Sequence, residues 1–304
     1  SLANELPDHE VIFATESRNE EAVRQILKRE YTLEIYKEED IVENIVGLRP
    51  ALLISDILDT NRSDVLKFKD AGIAVVSFED LGSGASHTDL TINELFDRAI
   101  IDKDHIRWGY RYFFLRDEFL GANSNRFRKD VTNILIAFGG VDQHDLTRKT
   151  YLSIQKLCKK NGIFINIVTG PGYTEYSTLS EEVTSRGGAS VTHSTGVISN
   201  IMETVDLAIT SNGRTVYELA HMNVPSIVIA QHERENTHEF GTKENGFVPL
   251  GVYSPGETEQ LVISQLRELI SNRDYRRELH RKTTRFRFNS NKGKVVGLIR
   301  RLLE

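Results

Sequence analysis

Residues 134–142 read Ile-Leu-Ile-Ala-Phe-Gly-Gly-Val-Asp, an apolar run that ends in a glycine pair. Inward-facing residues then recur at helical spacing after Asp145, at Leu146, Thr150, Ile154 and Leu157. A buried strand, a tight turn and a helix form the repeating unit of α/β proteins. Glycines at such a turn let backbone N–H groups approach a phosphate, whereas Asp142 and Asp145 need only cap the helix. Phosphate binding and a simple tight turn therefore both fit this stretch.

The same alternation of short apolar runs and amphipathic helices extends outward in both directions. Strands are predicted at residues 11–15, 33–36, 52–56, 74–78, 90–92, 133–138, 164–168, 190–192, 207–210 and 226–230. Ser17 and Glu20 form a capping-box pattern, which predicts a helix from there to about residue 29. Two such sets indicate two doubly wound domains with parallel sheets, which we place at residues 1–120 and 121–288, with a further helix in 289–304.

Composition and charge exclude several classes of protein. The 304 residues are 39% hydrophobic and 27% charged, which excludes a disordered chain. The single Cys158 excludes a disulfide framework and a cysteine-rich zinc site, and the sequence has no apolar run of the ~20 residues that a membrane span needs. We therefore expect a cytoplasmic protein. The net charge of -6 argues against nucleic-acid binding.

The negative charge is unevenly distributed along the chain. Residues 271–301 contain 11 Lys and Arg against Asp274 and Glu278. Such a basic segment could bind phosphates or an acidic membrane surface. Apolar residues interleave with the basic ones at helical spacing, so we interpret the segment as the solvated face of helices.

A second strand, turn and helix signal spans residues 206–219. Its polar turn offers hydroxyl, amide and guanidinium donors to a ligand, and the candidate residues are Ser211, Asn212, Gly213, Arg214 and Thr215. Glu218 follows one turn inside the helix, where a carboxylate could accept the hydroxyls of a ribose or simply lie at the surface. Two such loops in one domain favour a site for a nucleoside diphosphate.

A third cluster of polar residues follows the apolar run at 226–230. It contains Gln231, His232, Glu233, Glu235, Asn236 and His238. Because open α/β sheets bind ligands at the carboxyl ends of their strands, sugar recognition is the functional interpretation. The His and Glu pairs could suggest a metal, but no second cluster completes a coordination set, so we predict no metal site.

The first domain offers two weaker candidates for a catalytic base. Asp80 and His87 follow a predicted strand and could act as a general base or a sugar ligand, or only form turns. The sequence contains no Gly-x-Ser-x-Gly elbow, Walker loop or His-Glu-x-x-His motif. Serine hydrolases, P-loop NTPases and zincins are therefore unsupported.

These stretches together resemble the GT-B glycosyltransferase-like proteins. The resemblance rests on residues 138–147, 206–219 and 224–229, on Leu115-Arg116-Asp117-Glu118-Phe119, and on Glu79-Asp80-Leu81. Within that family the chain resembles the UDP-sugar hydrolase of pseudaminic acid biosynthesis and its relatives in spore-coat polysaccharide biosynthesis. The similarity spans nearly the whole chain, and the order of the motifs is more specific than any one of them.

The resemblance implies a GT-B-like fold with two Rossmann-like domains, a ligand in the cleft between them and a last helix that crosses back to the first domain. The implied nucleotide site places uracil and diphosphate near Gly139, Gly140, Val197 and Ile198, phosphate on residues 211–215 and ribose on Glu218. The implied substrate is a nucleotide-sugar, without cofactor or metal. In the implied reaction, water attacks the anomeric carbon and UDP leaves.

One departure from the family concerns catalysis. The family carries a Gly-x-Gly-His-x-x-Arg loop, and none of the nine histidines here occupies its position, while Glu79 stands where the family usually has Asp. Ser1 is not a usual first residue and residues 2–6 resemble the tail of a helix, so we expect a fragment. Three explanations fit this departure. The loop lies in upstream sequence that is missing here, another group replaces its histidine, or the chain binds a nucleotide-sugar without acting on it. Upstream, a sugar nucleotidyltransferase would fit as a fused or cooperating partner.

Three functions follow, in order: a UDP-sugar hydrolase for a nonulosonic (sialic acid-like) or surface-polysaccharide sugar, a glycosyltransferase with the same donor half, and a nucleotide-sugar binding module without chemistry. A transferase for lipid acceptors would need an apolar patch on the first domain, and the sequence shows no such run.

Overall fold

The computed structural model describes residues 2–194, 196 and 198–304. The first part of the chain contains six strands and three helices: β1 (Ile12–Glu16), α1 (Glu20–Leu27), β2 (Thr32–Tyr36), α2 (Ile41–Leu48), β3 (Leu52–Ser55), α3 (Arg62–Asp70), β4 (Ala74–Phe78), β5 (Leu90–Asn93) and β6 (Ile106–Trp108). The second part contains β7 (Asn133–Ala137), α4 (Leu146–Lys160), β8 (Phe164–Thr169), α5 (Tyr176–Arg186), β9 (Ala189–His193), α6 (Ile198–Met202), β10 (Leu207–Ser211), α7 (Thr215–His221), β11 (Ser226–Ala230), α8 (Glu233–Asn236), β12 (Phe247–Val252), α9 (Glu257–Ser271), α10 (Arg273–Thr283) and α11 (Asn291–Arg300).

The chain forms two compact units. Unit 1 comprises Ser1–Phe114 and Ser290–Glu304, and unit 2 comprises Leu115–Asn289. In unit 2 the strands form one six-stranded parallel sheet in the order β12-β11-β10-β7-β8-β9. Ile134 and Ile136 of the central strand β7 are fully buried, and α4 and α9 contribute Ile154 and Leu266 to the same apolar core. The predicted parallel α/β architecture is confirmed.

Unit 1 differs from the single sheet predicted for the first domain. Strands β3, β4, β5 and β6 form one parallel sheet in that order, while β1 and β2 form a separate parallel pair. The backbone ladder of β1 runs to β2, from Ile12 opposite Thr32 to Glu16 opposite Tyr36. The helices and strands of unit 1 also enclose two apolar clusters, one around Phe78 and Ile92 and one around Phe68 and Val75.

The helix predicted to start at the Ser17 capping box begins later. Helix α1 starts at Glu20 with Asn19 at its N-cap, so the capping-box prediction was wrong. The reason is that the N–H of Ser17 donates to the carbonyl of Tyr36 at 2.9 Å, which extends the ladder between β1 and β2 through this residue. A turn closed by the hydrogen bond from Asn19 N to the Glu16 carbonyl, at 3.0 Å, then separates this ladder from the helix.

The C-terminal helix α11 belongs to unit 1. Val295 and Ile299 pack into the apolar cluster of the four-stranded sheet. Asn291 Nδ2 donates to the carbonyl of Phe113 at 2.7 Å, and the ammonium of Lys294 lies 4.0 Å from the centre of the Tyr112 ring. These contacts hold the last helix against the preceding part of the unit.

The basic segment is not uniformly a solvated face, as the sequence suggested. Arg276 is only 2% exposed and donates to the carbonyl of Leu269 at 2.6 Å and to that of Lys129. Its guanidinium also lies 5.5 Å from the centre of the Phe127 ring. Arg276 is therefore a structural residue, because its burial is compensated by carbonyl partners and an aromatic face. In the part of the chain that the structure describes, none of the helices combines the length and apolar character needed to cross a membrane.

Candidate functional site

The strand order of unit 2 defines where a ligand would bind. From β7 the chain continues to β8 and β9 on one side, and then returns to place β10 on the other side of β7. The connections that follow β7 and β10 therefore run in opposite directions from two neighbouring strands. In open α/β sheets, a crevice forms at the carboxyl ends of such a strand pair. The first loop contains Gly139 and Gly140, and the second contains Asn212 and Gly213.

The glycine loop after β7 packs tightly against the loop after β8. Gly139 has a φ of +79°, a backbone conformation that glycine adopts without strain. A Cβ atom on Gly170 would lie 2.3 Å from the Gly139 carbonyl oxygen, and Gly172 N donates to the Gly140 carbonyl at 3.0 Å. Residues 170–172, which support the glycine loop, were not among the predicted site residues, although Gly-Pro-Gly directly after a predicted strand is a signal for such a turn.

The first turn of α4 is already occupied by a carboxylate. Asp142 accepts hydrogen bonds from the backbone N–H groups of Leu146 at 2.8 Å and Thr147 at 2.7 Å, so the capping role of Asp142 is confirmed. Asp145 accepts a hydrogen bond from the Tyr173 hydroxyl at 2.6 Å, and its burial raises the pKa of the Asp145 carboxyl. An anion at this turn would consequently be held by the glycine loop rather than by the start of α4.

The side chain of Ser211 lies between the two glycine-containing loops. A Cβ atom on Gly139 or on Gly213 would lie 3.8 Å from Ser211 Oγ. Ser211 is the last residue of β10, while the following Arg214 is exposed and Thr215 begins α7. The structure therefore brings together the predicted residues of the first and second loops.

Asn212 connects the loop after β10 to the loop after β11. Its Nδ2 donates to the carbonyls of Glu235 at 2.7 Å and His238 at 2.9 Å, and its own carbonyl lies 2.8 Å from His238 Nδ1. Among the described residues, the buried Asn212 Oδ1 has no hydrogen-bond partner. Both amide hydrogens thus serve the protein itself, and the oxygen is packed against Gly241, where a Cβ atom would clash with it. Asn212 is therefore a residue that connects the two loops.

Glu218 lies on α7 and is almost completely buried. Arg116 Nε donates to Glu218 Oε1 at 2.9 Å, and Arg116 Nη1 pairs with Glu118 Oε1 at 2.8 Å. Burial raises the pKa of Glu218 above its ordinary value, although Arg116 and then Arg214 oppose that shift. The same carboxylates outweigh the effect of burial on Arg116 and raise the pKa of its guanidinium. No local pattern of residues indicates this pairing, because Arg116 and Glu218 are 102 positions apart.

The polar cluster after β11 folds back toward the glycine loop. Gln231 Nε2 donates to the carbonyl of Phe138 at 3.3 Å, and the Gln231 backbone N–H donates to Glu235 Oε2 at 2.8 Å. Within the described ranges, the buried Gln231 Oε1 has no hydrogen-bond partner. Gln231 therefore offers a buried acceptor at the same edge of the sheet.

The remaining residues predicted to bind sugar are more peripheral. His232 caps α8, where its Nδ1 accepts a hydrogen bond from Glu235 N at 3.3 Å, and both His232 and Asn236 are exposed. Across residues 2–194, 196 and 198–304, His, Cys, Asp and Glu side chains do not group in threes that could hold a metal ion. The contacts made by His232 and His238 are hydrogen bonds within the protein.

Ile198, which the resemblance implies lies near uracil, is the first residue of α6 and is buried. Val197, the other residue implied there, lies outside the described residues.

The two base candidates of unit 1 have different surroundings. Asp80 is fully buried, and its carboxylate accepts hydrogen bonds from Thr60 N at 2.9 Å, Thr60 Oγ1 at 2.6 Å and Gly82 N at 2.9 Å. This is the geometry expected of a residue that holds two loops together. His87 ends a short 3₁₀ helix and is half-buried. A role of Asp80 or His87 as a general base or sugar ligand stays a prediction.

Two curated proteins are similar to this chain in sequence, whereas no protein-family model matches it. The spore coat polysaccharide biosynthesis protein SpsG of Bacillus subtilis is 25% identical over 262 residues, which cover 82% of this chain and 76% of SpsG. The "Uncharacterized protein MJ1062" of Methanocaldococcus jannaschii is 28% identical over 254 residues, which cover 77% of this chain. The match spans about half, 52%, of that archaeal relative's length.

Solved structures show the same fold at low sequence identity. The crystal structure of MurG from Acinetobacter baumannii has a TM-score of 0.68 at 13% identity, and the superposition covers 99% of this chain and 94% of the MurG chain. UDP-GlcNAc 2-epimerase from Neisseria meningitidis, bound to UDP-GlcNAc, has a TM-score of 0.64 at 13% identity, with coverage of 99% and 95%. The chain therefore has the GT-B-like fold that the family resemblance implied.

Proposed function

We propose that this chain is an enzyme that uses a UDP-sugar and binds the nucleotide at the carboxyl edge of the unit 2 sheet. The observation that carries the proposal is the convergence of two loops at the switch point between β7 and β10, where Ser211 Oγ lies 3.8 Å from the Cβ positions of both Gly139 and Gly213. Crevices of this kind bind nucleotides in open α/β sheets. The structurally similar UDP-GlcNAc 2-epimerase is bound to UDP-GlcNAc, which supports a ligand of the same class for this chain.

Each part of the nucleotide has a proposed group of contacts. The diphosphate would accept hydrogen bonds from the Gly139 and Gly140 backbone and from Ser211, with Arg214 neutralising charge. Glu218 would accept the hydroxyls of the ribose. The sugar would lie near Gln231, whose buried Oε1 is an acceptor suited to a hydroxyl group.

For the reaction, we propose hydrolysis of the UDP-sugar. The oxygen of a water molecule forms a bond to the anomeric carbon, the bond from that carbon to the β-phosphate oxygen breaks, and UDP leaves with the electron pair. A general base must take the proton of the water, and its identity is open. The relative SpsG, a spore coat polysaccharide biosynthesis protein, supports a role in the biosynthesis of a surface polysaccharide. The family resemblance of the sequence motifs extends the proposal to a nonulosonic acid such as pseudaminic acid and to a fused or cooperating nucleotidyltransferase. The buried free Cys158 fits a reducing cytoplasm.

One observation favours a glycosyltransferase as the second candidate. The loop after β3 exposes two adjacent apolar side chains, Ile57 at 62% and Leu58 at 57%. The sequence alone showed no apolar run of this kind in the first domain. Exposed apolar neighbours at the carboxyl end of a strand could receive the apolar part of an acceptor.

Calorimetric titration of the chain with UDP, CDP and ADP tests the nucleotide site. We expect selective binding of UDP, with the same Kd in EDTA and in Mg²⁺. Glu218→Ala should weaken UDP binding by about 1–3 kcal/mol because the ribose hydroxyls lose their acceptor. Glu182→Ala is the matched control, since Glu182 also pairs with an arginine, Arg148, at 2.7 Å but lies on α5. Equal affinity of the chain and Glu218→Ala would contradict the ribose contact.

Isotope incorporation separates the hydrolase from the transferase. The chain is incubated with a UDP-sugar in ¹⁸O-labelled water, and the free sugar is examined by mass spectrometry. A hydrolase places ¹⁸O on the anomeric carbon in every turnover without an added acceptor. Turnover that requires an alcohol acceptor and leaves the product unlabelled would instead establish the transferase.

A further inference from the structure

Arg116 is held in place by two carboxylates and one aromatic ring. It donates from Nε to Glu218 Oε1 at 2.9 Å, across 102 positions of sequence, and pairs through Nη1 with Glu118 Oε1 at 2.8 Å. Its guanidinium carbon also lies 5.4 Å from the centre of the Phe119 ring. A planar guanidinium with three fixed neighbours has a defined orientation, which a lysine ammonium would not provide.

The second carboxylate extends this contact to another element of the site. Glu118 Oε2 accepts a hydrogen bond from the backbone N–H of Ser199 at 3.0 Å, in the first turn of α6. Glu218, Arg116 and Glu118 therefore form a continuous chain of charged groups from α7 to α6. Both helices carry residues of the proposed nucleotide site, Glu218 on α7 and Ile198 on α6.

We propose that Arg116 is a positioning residue that fixes the carboxylate of Glu218 as the acceptor for the ribose hydroxyls of the nucleotide. This inference rests on the proposed function, and specifically on the ribose contact of Glu218. Arg116 itself does not need to contact the nucleotide. A carboxylate has about four lone-pair positions, so one hydrogen bond from Arg116 leaves capacity for two hydroxyl groups.

The charges around Glu218 explain why the arginine is needed. Glu218 is buried, and the charged groups that act on it are Arg116, Arg214 and Glu118. Burial and Glu118 raise the pKa of Glu218, whereas Arg116 and Arg214 lower it. The ionised carboxylate accepts hydrogen bonds from both hydroxyls more strongly than the protonated carboxyl does, because protonation removes the negative charge and turns one oxygen into a donor. Without Arg116, the pKa of Glu218 should rise further. As the pH falls, the variant should therefore lose its contact with the ribose at a higher pH than the native chain does.

The test compares the binding of UDP and of 2′-deoxyuridine diphosphate by calorimetry at a series of pH values from about pH 5 to about pH 8, above the ordinary pKa of a carboxyl group. The chain itself should prefer UDP. Arg116→Gln should lose about 10-fold or more of its UDP affinity, with a greater loss at low pH and a reduced preference over the deoxy analogue. Arg116→Lys should restore the pH profile but only part of the affinity, since the charge returns without the guanidinium geometry.

Arg128→Gln is the matched control. Arg128 is also a partly exposed arginine, and it pairs with the buried carboxylate of Asp206 at 2.9 Å. Asp206 directly precedes β10, so this pair lies at the amino ends of the strands, away from the proposed site. Arg128→Gln should leave the affinity for UDP and the pH profile unchanged. A thermal melt of each variant reports any loss of folding separately from the ligand measurements.

The outcomes separate this inference from the proposed function. If the chain binds UDP and the deoxy analogue equally, or binds neither, the ribose contact fails and the inference fails with it. If the chain prefers UDP while Arg116→Gln keeps the same pH profile, only the inference is overturned. A parallel loss at every pH, with the preference over the deoxy analogue intact, would likewise assign Arg116 a purely structural role.

Discussion

Gly170 supports the loop that contains Gly139, because a Cβ atom on Gly170 would lie only 2.3 Å from the Gly139 carbonyl oxygen. The same Cβ atom would lie 2.5 Å from the Cα of Gly140. The shape of the candidate phosphate turn thus depends on the loop that follows the neighbouring strand β8. A side chain at Gly170 would have to displace backbone, which cannot move as easily as the end of a flexible side chain.

We therefore expect Gly170→Ala to weaken UDP binding and to destabilise the protein by about 1–3 kcal/mol, the usual cost of overpacking. Calorimetry with UDP and urea unfolding measure the two effects. Gly121→Ala is the control, since a Cβ atom on Gly121 meets nothing within 4 Å. Native affinity in a folded Gly170→Ala variant would show that the glycine loop does not shape the nucleotide site.

Local patterns predicted most of the fold. All ten predicted strands are present, with ends displaced by one residue at most, because buried parallel strands are apolar runs bounded by turns. The two strands that were missed lack such a run. Strand β6 has only three residues, and β12 contains Pro249 and Gly251, the latter with a φ of +80°, and its register against β11 is shifted. The proline, the glycine in a left-handed conformation and the register shift all interrupt the pattern.

The sequence also indicated which loops form the site, but it did not reveal the long-range contacts of their side chains. The amide donors of Asn212 are taken by the carbonyls of Glu235 and His238, 23 and 26 positions away, and Glu218 pairs with Arg116. Pairing of this kind depends on how helices and strands pack. Residue type and spacing can place a polar group at the edge of a sheet, but they do not tell whether a ligand or the protein satisfies it.

Asn212 should be sensitive to exchange of its amide for a carboxylate. In the native chain, Asn212 Nδ2 donates hydrogen bonds to two backbone carbonyls. Asn212→Asp replaces this donor with a carboxylate oxygen, which repels both carbonyl oxygens. We expect a loss of about 1–3 kcal/mol in the free energy of unfolding, the cost of unsatisfied buried groups. Hydrogen exchange should show increased opening of residues 232–238. Exchange that is unchanged there would contradict the connecting role of Asn212, and Asn161→Asp, at the exposed end of α4, is the control.

The stability of unit 2 should depend on pH through His221. Burial, followed by the charge of Arg287, lowers the pKa of His221 to about 4, so its imidazole is neutral in the folded protein at neutral pH. The unfolded chain has an ordinary histidine pKa of about 6.5 and binds the proton more readily. Stability therefore falls as the pH drops from about 6.5 toward about 4, and the expected loss is on the order of 2 kcal/mol.

Urea unfolding at a series of pH values measures this effect. His221→Gln, which does not titrate, should lose the part of the pH dependence that belongs to this residue. The difference in unfolding free energy between the chain and the variant should narrow as the pH falls through this window. A constant difference would show that the folded and unfolded states bind the His221 proton equally.

Arg214 should contribute to the binding of the diphosphate more than to that of the nucleoside. It stands at the N-cap position of α7, directly after Gly213, and its charge acts on Glu218. We expect Arg214→Gln to weaken UDP binding about 10-fold, the cost of one hydrogen bond to a charged group, and to affect uridine much less. The loss should shrink at high salt because an exposed charge is screened. Arg186→Gln at the end of α5 is the control, and an equal loss for UDP and uridine would place Arg214 away from the phosphates.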